Sequence, residues 1–459
     1  MSETTFNLKE ISSLGRELEV VVPAVVVDSE YRSGLVKLAK DTDLPGFRKG
    51  RVPVSIVERR YGAALKNETS QQLINRLCQQ YLEQHNLHVL ELLDSKRLEV
   101  GEQGALGYSI KFELMPEVDL ADLRQLSVQR YRCVVSEEDV DRELQTLRER
   151  AVSYEVTNAD HAAQAGDQIS CLVVFKSDDE SRQTSGKLSR VLGRDGGDNM
   201  VDQWQQLLVG AKLNEQRSGE FMVSTACSEA GELAGSHCRV EVTVDEIKVP
   251  HLPELNDDFA KRFQSTTVEA LRDKLRGELE KGTANCVRDL LVDATVKKVL
   301  DARWHQDPEL TIEHRLDSQQ HRWESRKTEI TDKGEFPRDK VREYITEELR
   351  KAILVSVYGD GHPVEVSEEE LQAAYREQLQ QMFGSGFQAA VDFYNSTKED
   401  KNYWMGLRRL VVGRKLLDLL TQEVSLEDVD VGYQQLVELE KQRRERELQR
   451  TSEVEDYVE

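Results

Sequence analysis

The sequence predicts an α+β multidomain protein with a mixed N-terminal domain, an antiparallel β domain carrying one helix, and an all-α C-terminal region. Before residue 115, apolar residues recur at both strand and helix spacing, whereas residues 155–250 contain short strand-like segments and glycine turns. From Thr266 onward the spacing is helical. A chain of 459 residues is long enough for roughly two to four such domains.

The composition indicates a soluble protein. The formal net charge is −23, and 32% of the residues are charged. The longest apolar stretch near the start, "VVVPAVVV" at residues 20–27, is too short to span a bilayer, and the first residues lack the cationic and apolar layout of a secretory signal. We therefore expect a cytoplasmic protein that contains no membrane segment.

The cysteines do not indicate a disulfide framework or a metal site. Six are present, they lie far apart, and no CxxC pair occurs. We expect buried free thiols and no bound metal.

The N-terminal domain is predicted to cover residues 1–115. "LEVVVPAVVV" at residues 18–27 is interpreted as a strand, and Asp28 or Ser29 can then cap a helix that stops at "DTDLPG". Pro53 suits the first turn of a second helix. The segment between these two helices is therefore a loop.

Two capping boxes are predicted in the C-terminal half. Thr266 with Glu269, and Ser367 with Glu370, both have the spacing in which two side chains satisfy the free N–H groups at a helix start. The last residues, 439–459, are charged all round and are predicted to fray or to be disordered.

The loop between the first two helices contains "GFRKGRVP" at residues 46–53 and is strongly cationic for an acidic chain. The glycines permit a sharp turn that pushes the other side chains outward. The guanidinium groups of Arg48 and Arg51 can each form paired hydrogen bonds with a phosphate or a carboxylate, and Lys49 adds a further positive charge. Phe47 can insert into an apolar crevice of a partner. The candidate binding residues are Gly46, Phe47, Arg48, Lys49, Gly50 and Arg51. The alternative is a solvated turn whose phenylalanine folds back onto its own domain.

"GFRKGRVP" resembles the ribosome-binding signature of the trigger factor family. The preceding "LP" and the following "RRYG" also fit this family, as do "LPELNDDFAKRF" at 252–263, "VDFYNS" at 391–396 and "LRRLVVGRKLLDLL" at 407–420. The resemblance covers residues 1 to about 438.

The resemblance implies a chaperone of three parts. Gly46, Phe47, Arg48 and Lys49 would dock on a protein of the large ribosomal subunit beside the tunnel exit, with ribosomal RNA close by. A linker helix at 116–154, an FKBP-type prolyl isomerase domain at 155–250, and helical arms at 251–438 would follow. Nascent and unfolded chains are the implied partners, folding and export the implied processes, and a homodimer off the ribosome is implied as well. No membrane or DNA partner is implied.

The resemblance implies no cofactor. The chain has no GxxxxGK[ST] phosphate loop, because the glycine-rich "LGRDGG" at 192–197 has no Lys-Ser/Thr behind it. We therefore expect the holding of clients to be independent of ATP.

An isomerase pocket is implied by alignment on the family pattern. Trp204 takes the aromatic floor position, Val201 an apolar pocket position, and Phe175 a wall position. Such a pocket grips the proline ring and favours the twisted amide. The alternative is that Phe175 and Trp204 belong to the domain core.

Three positions depart from the family pattern. Arg190, Ser228 and Val240 stand where the family usually carries aromatic residues. Each aromatic side chain of the pocket contributes about 1 kcal/mol or more of apolar contact energy. We therefore expect prolyl isomerase activity to be absent or roughly ten- to thousandfold weaker.

The predicted function is that of a ribosome-associated, ATP-independent holding chaperone. A primarily enzymatic prolyl isomerase and a scaffold for folded proteins or assembly intermediates remain as alternatives. Catalysis on an X-Pro peptide would favour the first alternative, and preference for structured clients the second.

Overall fold

The computed structural model describes the chain except for residues 1–2, 46, 48–50, 101–103, 158–159, 178–181, 194–202, 204–205, 225–226, 328–334, 385, 455–456 and 458–459. The chain divides into two compact units. The first consists of residues 1–133 and 285–459, and the second of residues 134–284. The predicted α+β multidomain class is confirmed.

The first unit begins with a four-stranded antiparallel sheet and a helical hairpin. The strands lie in the order β1-β2-β4-β3. Alternate residues of the second strand, including Leu18 and Val20, are buried with Ile74 and Phe112. The elements are β1 Thr5–Glu10, β2 Gly15–Val22, α1 Ala24–Asp41, α2 Val54–Gln84, β3 Val89–Leu98 and β4 Leu106–Leu114.

The predicted strand over residues 18–27 is wrong beyond Val22. Pro23 has φ −60° and serves as the N-cap of α1, so the helix begins at Ala24. Asp28 and Ser29 therefore lie inside the helix and do not cap it. Proline lacks an N–H for the sheet and its fixed φ suits a helix start, and burial of Val27 then offsets the weak helix propensity of the valine run.

The second unit contains a five-stranded sheet and a helical cluster. The strands β6, β10, β7 and β8 are neighbours in that order, and β9 pairs with β10. Val140, Leu144, Phe259 and Leu271 form the core of the helical cluster. The elements are α3 Glu137–Arg150, β6 Ser153–Val156, β7 Gln168–Ser177, β8 Gln183–Val191, β9 Gln216–Met222, β10 His237–His251 and α4 Asp257–Arg262.

The predicted linker helix at 116–154 is only partly helical. Residues 127–132 form a strand, β5 Ser127–Arg132, which pairs in parallel with β11 Ser425–Asp430. Arg130 and Asp428 join these strands through two hydrogen bonds of 2.6 and 2.9 Å. The strand partner lies about three hundred residues further along the chain, so local periodicity gives no sign of it.

Helices dominate from residue 268 to the C-terminus. They are α5 Val268–Arg303, α6 Glu309–Lys327, α7 Arg338–Gly361, α8 Glu368–Phe383, α9 Phe387–Thr397, α10 Lys401–Glu423 and α11 Tyr433–Ser452. The boundary between the two units falls within α5. Among the described residues, no helix is long and apolar enough to cross a membrane.

The capping box at Ser367 and Glu370 is confirmed. The box predicted at Thr266 and Glu269 is wrong, because the helix begins at Val268. The Thr267 hydroxyl accepts a hydrogen bond from the Ala270 N–H at 3.1 Å, and alanine has no carboxylate that could complete a box.

The prediction that residues 439–459 fray is wrong for the helix α11. Glu440 is buried and accepts hydrogen bonds from Arg443 and Arg444 at 2.6–3.0 Å. Arg443 also pairs with Asp293 of α5 at 3.3 Å. Charges that look solvated in the sequence are thus paired within the helix and, through Asp293, with a helix that is distant along the chain.

A buried carboxylate joins the N-terminal sheet to α6. Glu113 of β4 is 1% exposed and accepts hydrogen bonds from the N–H groups of Leu310 and Thr311 at 3.2 and 2.6 Å. These N–H groups belong to the first turn of α6, where a helix has free donors and a positive dipole end. Gly15 permits the close approach, because a Cβ there would collide with the Leu310 side chain.

We expect Glu113→Ala to lower the free energy of unfolding of the full chain by about 2–3 kcal/mol, because it leaves two N–H groups unpaired. Differential scanning calorimetry of the full chain checks this. Glu99→Ala, at an exposed position after β3, is the control and should change the melting temperature little. Equal melting temperatures of both variants would contradict the role of Glu113.

Candidate functional site

The hairpin of α1 and α2 carries the predicted binding loop. Phe47 and Arg51 are described and exposed, whereas Gly46, Arg48, Lys49 and Gly50 lie outside the described residues. The Phe47 N–H donates to the Leu44 carbonyl at 3.0 Å, which closes a turn at the start of the loop.

The two ends of the loop are anchored by apolar side chains. Leu44 before the turn and Val52 after it are both buried in a small cluster with Leu35 and Val57 of the hairpin. Gly62 brings the helices together, since a Cβ there would lie 2.7 Å from the Tyr31 hydroxyl oxygen. The loop is therefore fixed at both ends by the packing of its own hairpin.

The surface around the loop is both apolar and cationic. Phe47 is 38% exposed, and Val54 and Ile56 in the first turn of α2 are exposed as well. Arg51 and Arg59 are exposed and form no ion pair with any residue in the described part of the chain. This combination suits an anionic partner that also offers an apolar crevice.

Phe175, the predicted isomerase wall, lies in the sheet core of the second unit. It is 1% exposed on β7, directly opposite Val240 of β10, which is fully buried in the same cluster. Trp204 and Val201 lie outside the described residues, so the three predicted pocket residues are not brought together by described structure.

Arg190 is a charged residue beside the apolar core of the same sheet. It stands opposite Ile169 in the register of β7 and β8, and its Nε is buried without a hydrogen-bond partner in the described part of the chain. A buried guanidinium nitrogen is unsuited to gripping an apolar proline ring.

The predicted burial of cysteine thiols is largely confirmed. Burial, with the charge of Asp245 as a lesser cause, raises the pKa of the Cys171 thiol to about 12, and burial raises that of Cys78 to about 11. Neither thiol is a nucleophile at neutral pH. The buried cysteines are Cys78, Cys171, Cys227 and Cys238, whereas Cys133 and Cys286 are half-buried.

A half-buried histidine pairs with a buried aspartate before β7, and the sequence pattern gives no sign of this pair. Nε2 of His161 lies 2.7 Å from Oδ2 of Asp167, which also accepts the Gln164 N–H at 2.8 Å. The carboxylate is buried and holds the loop 161–167 closed. The pair is part of this loop's packing, and its spacing of six residues matches no motif.

The described helices at 368–423 carry an aromatic cluster with an exposed apolar margin. The buried Tyr375 packs against Tyr394, Tyr403 and Trp404 with ring centroids 5.1–6.1 Å apart. Around this cluster several large apolar side chains are exposed. They are Met382, Tyr394, Met405 and Leu410. Sequence periodicity indicated these helices but not which apolar residues stay on the surface.

The two tryptophans in the predicted arm are packing residues. Nε1 of Trp304 donates to Asp307 at 2.8 Å, and the Arg350 guanidinium lies over its ring. Trp323 is buried beside Phe336. Both tryptophan side chains therefore stabilise the packing of these helices.

Two family models match the chain. "Bacterial trigger factor protein (TF)" matches residues 4–147, and "Bacterial trigger factor protein (TF) C-terminus" matches residues 267–422. Together the two matches cover well over half of the chain. The chain belongs to the trigger factor family.

Trigger factors from several bacteria are similar to this chain over most of its length. That of Halorhodospira halophila is 26% identical over 443 residues, which covers 95% of this chain and 98% of the relative. That of Coxiella burnetii is 25% identical and covers 94% of this chain and 97% of the relative. The trigger factor of Rickettsia bellii is 31% identical over 258 residues, or 56% of this chain and 57% of the relative.

A solved structure of a trigger factor chaperone is also similar. It was described for promiscuous substrate recognition in folding and assembly activities. It is 22% identical, covers 91% of this chain and 99% of its own chain, and has a TM-score of 0.49.

We expect Phe175→Ala to lower the melting temperature of the full chain by several degrees, because removal of a buried phenylalanine side chain costs about 3–5 kcal/mol. Calorimetry checks this. Leu172→Ala on the same strand, where the side chain is exposed, is the matched control and should cost far less. An unchanged melting temperature for Phe175→Ala would instead support a role in an open pocket.

Proposed function

We propose that this trigger factor is a cytoplasmic, ribosome-associated, ATP-independent chaperone that holds unfolded nascent chains at the tunnel exit and assists their folding and export. The loop at residues 46–51 would dock on the large ribosomal subunit. The helical region from residue 251 would hold clients, with the domain boundaries that the sequence predicts. A homodimer off the ribosome is part of this proposal.

The observation that carries the docking proposal is the exposure of Phe47 on an anchored loop. Leu44 and Val52 are buried on either side of it, yet Phe47 itself is 38% exposed. A phenylalanine that folded back would join the cluster of Leu35 and Val57, and it is not a member of that cluster. An exposed aromatic residue on a fixed support is typical of an interface anchor.

The charge distribution supports an anionic partner. The chain as a whole carries a net charge of −23, so it is repelled by nucleic acid in general. Only a local cationic surface can approach ribosomal RNA, and Arg51 in the loop together with Arg59 on α2 supplies such a surface. The acidic remainder would limit binding elsewhere on the ribosome.

The holding of clients is supported by the apolar margin of the aromatic cluster. Met382 and Met405 are flexible and polarisable, so they adapt to varied sequences. They are interspersed with charged residues, which favours weak, reversible binding over tight capture. Such binding needs no ATP, because release follows from the low affinity.

We further propose that the middle domain is an FKBP-type prolyl isomerase whose activity is weak or lost. The burial of Phe175 in the sheet core supports this proposal, as does the charged Arg190 at a position where the family usually carries an aromatic residue.

We expect Phe47→Ala to weaken ribosome binding by about thirtyfold, since interface anchors contribute about 2 kcal/mol or more. The triple change Phe47→Ala, Arg48→Ala and Lys49→Ala should abolish co-sedimentation with bacterial ribosomes. Co-sedimentation over a titration of ribosomes measures both effects.

The matched control is Lys66→Ala, which removes an exposed cation from α2 outside the loop. It should co-sediment like the parent chain. Retained co-sedimentation of the triple variant, with its circular dichroism unchanged, would refute the docking site.

We expect the full chain to catalyse X-Pro isomerisation roughly ten- to thousandfold more slowly than an FKBP-type enzyme with an intact aromatic pocket. A proline-limited refolding assay measures the rate. Arg190→Tyr should raise it, whereas Lys187→Tyr, at an exposed position on the same strand, should not. A parent rate equal to that of the intact enzyme would show that the altered positions are not pocket walls.

A further inference from the structure

The C-terminal end of the chain occupies an apolar groove between α6 and α7. Val454, just after α11, is 3% exposed. Its neighbours are buried aliphatic side chains from both helices. They are Ile312, Leu316, Val341, Ile345 and Leu349.

An aromatic site adjoins this aliphatic groove. The ring of Tyr457 lies 5.7 Å from that of Phe336, edge to face, and 6.1 Å from that of Trp323. Trp323 and Phe336 are themselves 5.8 Å apart. The two rings therefore form a receiving surface for a third aromatic side chain, which Tyr457 provides.

The backbone presents both side chains to the groove by a short turn. The Val454 N–H donates to the Thr451 carbonyl at 3.0 Å, and the Tyr457 N–H donates to the Val454 carbonyl at 2.8 Å. Residues three apart in such a turn lie on the same side. The groove is thus occupied by an aliphatic side chain, Val454, and an aromatic side chain, Tyr457, that lie three positions apart in the sequence.

Outside the groove the segment is held mainly by ion pairs. Arg450 contacts Glu347 and, at 2.7 Å, Glu348 of α7. Glu453 pairs with Lys340 at 3.0 Å. These groups are partly exposed and therefore contribute little to affinity. Contacts that do not involve this segment also join α6 to α7, such as the ion pair of Arg338 with Glu313 at 2.6 Å, and they remain when the segment leaves.

We propose that this groove is a peptide-binding site and that Val454 and Tyr457 occupy it as an intramolecular ligand. Its external ligands would be short apolar segments with an aliphatic and an aromatic residue three apart and an acidic residue just before the aliphatic one. Lys340 would form an ion pair with this acidic residue, as it does with Glu453. That unfolded client chains supply such segments rests on the proposed holding function.

The tethered segment competes with every external ligand. A segment on the same chain has an effective concentration in the millimolar range. Only clients that bind more tightly, or that present several such segments, displace it. The C-terminal segment therefore sets the minimum affinity that an external ligand needs in order to bind in this groove.

The test uses a fluorescein-labelled peptide of residues 448–459, "LQRTSEVEDYVE", and a control peptide with the changes Val454→Ser and Tyr457→Ser. Fluorescence anisotropy compares the full chain with a chain ending at Ser452. For an intrinsic Kd of about 100 μM, the shortened chain should bind the first peptide about tenfold more tightly than the full chain does. The control peptide should bind neither chain.

Two further variants keep the proposal falsifiable if the shortened chain is unstable. The full chain with Val454→Ser and Tyr457→Ser retains every charge and should also take up the first peptide. We call the chain ending at Ser452 and the chain with Val454→Ser and Tyr457→Ser the opened chains. In either of them, Lys340→Glu should weaken the binding of the first peptide, whereas Lys351→Glu, at an exposed position on the same helix, should not. Equal affinity of the full and opened chains, or of the two peptides, would overturn the proposal.

Suppression of the aggregation of an unfolded protein separates this inference from the proposed function. Opened chains that bind the peptide and hold more unfolded protein than the full chain support the use of the groove by clients. If the opened chains bind the peptide but suppress aggregation no better than the full chain does, clients do not use the groove. A complete lack of holding by every chain would instead refute the proposed chaperone function, while peptide binding would leave the groove established.

Discussion

The carboxylate of Glu113 at the N-terminus of α6 is the contact on which the first unit depends. It joins a strand near residue 113 to a helix that begins nearly two hundred residues later, after the whole second unit has intervened. A buried charge is costly unless it is paired, and here two N–H groups and the positive end of a helix satisfy it. Glu91 adds contacts with His314 and Arg315 one turn further along, at 3.0 and 2.7 Å. The hairpin of α1 and α2 thereby belongs to the same compact unit as the helices from α6 onward.

Signals that act over a few residues were predicted from the sequence, and signals that need a distant partner were not. The Ser367–Glu370 box and the cationic loop are local, because a cap or a turn is specified by its own residues. The strand at 127–132 and the helix at 433–452 depend on partners more than a hundred residues away. The valine run before Asp28 misled the prediction because Pro23 and the burial of Val27 outweigh β propensity.

The same distinction applies to the candidate sites. The loop at residues 46–51 is a contiguous motif, so the residues of the proposed docking site could be named in advance, and only the exposure of Phe47 required the structure. The groove between α6 and α7 draws on residues from 312 to 457, so no local pattern predicts it. Phe175 illustrates the converse case. Its position in a family pattern suggests a pocket, yet a strand residue on the inner face of a sheet is core by default, and it is fully enclosed here.

The magnitudes of the contacts explain why the C-terminal segment can act as a competitor without being a permanent part of the core. Burial of an aliphatic side chain such as Val454 is worth about 1.5–3 kcal/mol, and an aromatic contact such as that of Tyr457 adds about 0.5–1.5 kcal/mol. The conformational entropy lost when the turn is ordered opposes this gain, so the net preference for the occupied groove is smaller than the contacts alone suggest. An open state that is populated at equilibrium is part of the proposal. A groove that is usually filled by its own chain stays protected from aggregation yet remains available to a stronger ligand.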